Sequence, residues 1–184
     1  QVAKKGLTRP ELSVLLAYSK MDIFHDLMKS KLPDDAYYHA RELVDYFPST
    51  MKKKYADEIG GHELKREIVA TIIANDIVNR MGSTFYFTLS EESGAKGCDI
   101  ARAYTVARDS FGLQNLWEKL EELGSEVPIE TRVALHLETR TLVERVAIWL
   151  LRHNSYLNVA DLVKEYTPGI KELSENLNSI LSEK

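Results

Sequence analysis

The sequence predicts an all-α protein: an irregular bundle of about nine helices around a buried central helix at about 62–81, with no sheet. Three observations lead there. Residues 64–82 read LKREIVATIIANDIVNRMG, with aliphatic side chains spread around the whole helical cylinder, and a helix that is apolar all round is buried all round. Only one stretch, Ser83-Thr84-Phe85-Tyr86-Phe87-Thr88-Leu89, alternates as a strand does, and a single unpaired strand is not stable. Helix start and stop signals, by contrast, recur along the chain.

The elements follow in order. Thr8 caps the first helix, Glu11 completes a capping box, and Pro10 sits in the first turn, where no amide hydrogen is required. Leu12, Leu15, Leu16, Ile23, Leu27 and Met28 carry its apolar stripe. Asp34 is the expected cap of a second helix that stops before Pro48. A short basic helix from Ser49 ends at Gly60-Gly61, where glycine allows a positive-φ cap. After the central helix, Thr84–Ser93 is read as a helix closed by Gly94, and Asp99–Ser110 as another, stopped by Gly112. Leu113–Leu123 is a short helix containing Trp117, and Gly124–Val127 a loop. Pro128 opens the longest helix, to about His153. Ile129, Val133 and Leu137 lie on one side of it, Arg132, His136, Arg140 and Glu144 form a polar stripe, and Val146–Leu151 should be buried. Asn158 caps a short helix, and Thr167-Pro168 starts the last, ending near Leu181.

At 184 residues with 44% apolar and 28% charged side chains, the composition is that of a globular chain that needs no disulfide or metal staple. A single domain over 1–184 is expected, with 6–153 as its core and the helices of 154–184 packing on it. Net charge is −4, distributed as +3 over residues 1–55, −5 over 56–123 and −2 over 124–184. The basic cluster Lys52-Lys53-Lys54 falls far short of a phosphate-tracking surface, so nucleic acid is not an expected partner. Nor is a membrane: no signal, transit peptide or span is present, and Lys65, Arg66, Glu67, Asp76 and Arg80 charge the most apolar helix. One cysteine, Cys98, excludes an internal disulfide and fits a reducing, cytoplasmic compartment. A first residue of Gln1 in place of Met suggests a processed product or a piece of a longer polypeptide.

The central helix carries the candidate structural or interface residues Asn75, Asp76, Asn79 and Arg80. Asn and Asp are poor helix formers, and buried they must find partners or cost roughly 1–3 kcal/mol each. Asp76 and Arg80 pair at i,i+4 in the favourable order, and the two asparagines are expected to bond to neighbouring elements. Other clusters read as ordinary surface. His39, Glu42 and Asp45 share a helix face at a spacing a metal ion would accept, but a solvated face has the same spacing. His25 between Asp22 and Asp26 reads the same way. Gly94-Ala95-Lys96-Gly97 matches the GxxG loop of KH modules, yet lacks their sheet and is flanked by Glu91 and Glu92, which repel phosphate. Neither GxGxxG nor GxxxxGK[ST] occurs. No catalytic, cofactor-binding or metal-binding residue is assigned.

Several stretches resemble one family in order: GLTRPEL at 6–12, LLAYSK at 15–20, Leu32-Pro33-Asp34-Asp35, Tyr46-Phe47-Pro48, REIVATIIANDIVNRMGSTF at 66–85 and DIARAYTVARDSFGL at 99–113. They resemble the C-terminal helical region of the large bacterial NAD-specific glutamate dehydrogenases, closely over 6–153 and more loosely beyond. The resemblance implies a parent enzyme that deaminates L-glutamate oxidatively to 2-oxoglutarate and ammonia, with NAD as cofactor. It further implies that this region follows the catalytic domain. Since the chain lacks a nucleotide fingerprint, a parallel-sheet pattern and a glutamate-binding lysine motif, it is expected to be a non-catalytic helical module that holds no cofactor, with the remainder of its chain and other subunits as partners. A free-standing helical adaptor or regulatory ligand-binding domain is the alternative reading.

Overall fold

A computed structural model describes residues 6–124, 126–154 and 156–182, the side chains of 178–182 excepted. Gln1, and Ser125 of the expected 124–127 loop, lie outside the described residues. Every regular element among the described residues is helical, and the alternating stretch is helical from Phe85 onward, close to the expected Thr84–Ser93. The chain divides into two compact units, Gln1–Cys98 and Asp99–Lys184.

In the first unit, α1 (Arg9–Met28) begins with the expected capping box: Glu11 Oε2 accepts from the Thr8 N–H at 2.7 Å, and Thr8 Oγ1 from the Glu11 N–H at 3.5 Å. A 3-10 turn (Leu32–Asp34) leads into α2 (Ala36–Tyr38), which runs without a break through a π-helical turn (His39–Leu43) into α3 (Val44–Tyr46). The cap of α2 is Asp35, whose Oδ1 accepts from the Tyr37 N–H at 2.9 Å; the expected Asp34 is held inside the 3-10 turn. The basic segment forms two helices, α4 (Ser49–Lys52) and α5 (Ala56–Gly60), and Gly61 has φ −89°, so no positive-φ cap occurs there. Gly94 does adopt φ +66° and ends α7 (Phe85–Ser93), the left-handed conformation that costs a glycine least.

Helix α6 (Lys65–Met81) packs most extensively on α1 and also meets the 3-10 turn, the π-helical turn and α7. Its buried residues are Val69, Ala70, Ile73, Ala74, Ile77, Val78 and Met81. These span about half the circumference at 100° per residue. The other half, Leu64, Ile68, Ile72, Asn75 and Asn79, is half-buried to exposed, with Leu64 at 55%. The expectation of burial all round is therefore corrected. The neighbours within this unit cover one side, and the second aliphatic stripe lies outside them.

In the second unit, α8 (Gly97–Ser110), which crosses the unit boundary, is buried at every residue from Ile100 to Arg108. Its two arginines hid this in the sequence, since charged side chains are seldom buried unless paired. Here Arg102 reaches Asp99 at 3.0 Å and Arg108 reaches Asp109 at 2.8 Å. Helix α9 (Leu113–Glu121) packs on α10 (Ile129–His153), and Trp117 Nε1 donates to Thr139 Oγ1 at 3.1 Å. The apolar end of α10 is only partly enclosed: Ala147 and Leu150 are buried, while Trp149 stays exposed and stacks on His153. Asn158 Oδ1 caps α11 (Val159–Ser182), which runs through Pro168 instead of restarting there. The carbonyl of Lys164, deprived of its amide partner by the proline, lies at an exposed position where water can serve it.

Candidate functional site

The four polar residues of α6 separate in the fold. Asp76 Oδ1 and Arg80 Nε lie 4.0 Å apart, both side chains largely sheltered, and each has further partners. Asn75 is half-buried and lines an open depression of about 240 Å³ with Thr71 and Ala74 of α6 and Lys20, Met21 and Phe24 of α1. Asn79 faces outward and is exposed. The expected buried network therefore reduces to one ion pair at the flank of the helix, with Asn75 beside α1.

The tie that sequence reasoning missed is Arg66, at the opposite end of α6. Its Nη2 donates to the carbonyls of Met28 at 2.9 Å and Ser30 at 3.1 Å, and its Nη1 pairs with Asp34. The first two carbonyls belong to the end of α1 and the residues after it, where the last turn of a helix leaves acceptors without intrahelical partners. A guanidinium fork there satisfies them and complements the negative end of the helix dipole. Nothing local in the sequence links Arg66 to atoms more than thirty residues upstream.

The other clusters are spoken for. His39 Nε2 lies 2.7 Å from the Pro33 carbonyl, Glu42 is buried, and Asp45 pairs with Lys52, so the three do not converge. No group of three or more His, Cys, Asp or Glu among the described residues is placed to hold a metal ion. His25 is exposed and meets the Phe24 ring edge-on. Asp22, His25 and Asp26 border an open hollow of about 640 Å³ with Met28, Lys29 and Phe87. The glycine turn has a packing role: a Cβ on Gly97 would stand 1.6 Å from the Tyr86 hydroxyl. Tyr86 is buried, and burial first, then the Asp26 carboxylate and Cys98, pushes its phenol well above the usual range. With that hydroxyl filling the space over Gly97, the glycine serves close packing against Tyr86. The arrangement as a whole ties helices to one another.

The sequence profile for the family described as glutamate dehydrogenase, C-terminal, matches residues 4–184. The chain is 41% identical over 177 residues to the NAD-specific glutamate dehydrogenase of Halomonas elongata, which covers 96% of this chain and 11% of that protein. It is 41% identical over 180 residues to the protein of the same description from Pseudomonas aeruginosa, covering 97% of this chain and 11% of the relative. The corresponding figures for the Mycobacterium tuberculosis protein are 32% over 177 residues, 96% and 11%. The chain thus spans about a ninth of the length of these relatives.

Proposed function

Because the chain belongs to the glutamate dehydrogenase C-terminal family, we propose that residues 1–184 act as a helical, non-catalytic module of an NAD-dependent glutamate dehydrogenase. The longer polypeptide deaminates L-glutamate oxidatively to 2-oxoglutarate and ammonia, reducing NAD at a site outside this segment. Both compact units serve as one module that braces the catalytic portion or joins subunits, in the cytoplasm, where the reaction draws on the NAD pool. No helix among the described residues is long and apolar enough to cross a membrane.

The observation that carries this reading is a contrast in coverage. Nearly the whole chain aligns with its relatives, yet with only 11% of their length, and in that ninth the interior polar groups tie helices together. Arg66 holds the end of α1, and Trp117 joins α9 to α10. Removing this segment from the longer polypeptide tests the division of labour. NADH binding followed by nucleotide fluorescence should persist, while the melting temperature falls or subunits dissociate. A truncated enzyme with unchanged melting and assembly would overturn the bracing role.

A further inference from the structure

We infer that the apolar stripe Ile129, Val133 and Leu137 on the first half of α10 is a docking surface for a part of the longer polypeptide lying outside residues 1–184. The inference rests on the reading of this chain as one region of that polypeptide.

In these turns the helix has its polarity reversed. Ile129, Val133 and Leu137 are 57%, 49% and 52% exposed, while the charged stripe of Arg132, His136, Arg140 and Glu144 is half-buried. No residue from 129 to 138 is buried; burial begins at Thr139, where Trp117 meets the helix. A helix standing in water by itself would turn the other way, since each large aliphatic side chain moved out of water gains about 1.5–3 kcal/mol. The surface therefore has one need, cover for three aliphatic side chains.

The occupant that fits is a helix or extended segment of the same polypeptide, apolar along one side. About nine-tenths of the length of the relatives lies outside the aligned region. A second copy of this chain is the poorer fit. Three side chains expose far less than the roughly 800 Å² per partner of a stable interface between separate molecules. A tethered segment needs much less, because the connecting chain supplies a high effective concentration.

The test places photo-reactive p-benzoylphenylalanine at Val133 in the purified full-length protein, with Glu138, exposed on another side of the helix, as the control position. After irradiation, mass spectrometry should map the Val133 crosslink to a peptide of the same chain outside 1–184, at several times the Glu138 yield. Leu137→Asp, in a protein whose circular dichroism is unchanged, should lower that yield at least fivefold. A crosslink to residues 1–184 of another copy, or a yield no higher than the Glu138 control, would overturn the inference. NAD binding by residues 1–184 would instead remove the non-catalytic reading and leave the crosslink result untouched.

Discussion

Asn79 marks how far a helical wheel can be trusted at a single residue. The wheel groups it with Leu64, Ile68 and Ile72, and the fold keeps that grouping while turning the whole face outward. Asn79→Leu should therefore shift stability by no more than about 0.5 kcal/mol in urea unfolding, instead of the larger loss that a stranded partner would cause. Gly97 is the opposite case, a residue whose importance lies in what it lacks. Gly97→Ala drives a methyl group into the Tyr86 hydroxyl, and Tyr86 is too enclosed to swing aside. A loss of roughly 1–3 kcal/mol is expected, partly relieved when Tyr86→Phe is added. The same phenol gives the protein an alkaline sensitivity. Its folded-state value lies above the free value of 10.0, so its contribution is complete below pH 10 and is lost as pH rises towards the folded value. Unfolding free energy should fall above pH 10, by up to about 1.4 kcal/mol per pH unit from this group. Tyr86→Phe should flatten that part of the slope.

At the scale of elements, the junction of α1, the 3-10 turn and α6 turns on one guanidinium. The Arg66–Asp34 ion pair is partly exposed and contributes about 0–1 kcal/mol. The two bonds to the Met28 and Ser30 carbonyls matter more, because hydrogen bonds from a charged donor are the stronger kind. Arg66→Ala should cost about 1–3 kcal/mol in thermal or urea unfolding, and Arg66→Lys should recover less than half, since a single ammonium cannot span two carbonyls and a carboxylate. Elements bounded by local chemistry were legible: the Thr8–Glu11 box opens α1, Gly94 closes α7, and Asn158 starts α11. Elements decided by context were not. Pro168 marks a boundary by propensity but lies inside α11, and the π-helical turn at His39–Leu43 has no sequence signature.

At the scale of the whole molecule, the helical class was readable because one strand-like run with no partner cannot make a sheet. The location of the interior was readable only in part. Aliphatic side chains surround α6, yet it is covered on one side, while α8 is enclosed at nine consecutive residues in spite of two arginines. Periodicity reports how much apolar surface a helix carries, and only the packing of its neighbours decides which part of it is covered. The candidate residues were half legible for the same reason. The spacing of Asp76 and Arg80 is local and forms the pair expected, whereas the tie made by Arg66 depends on a chain reversal that no window of sequence contains.

On the proposed function, this helical segment contributes no nicotinamide site of its own. Calorimetric titration of residues 1–184 with NAD, on protein whose circular dichroism is helical and whose melting is cooperative, tests it most directly. No saturable heat is expected; one-to-one binding at micromolar affinity would overturn the non-catalytic reading.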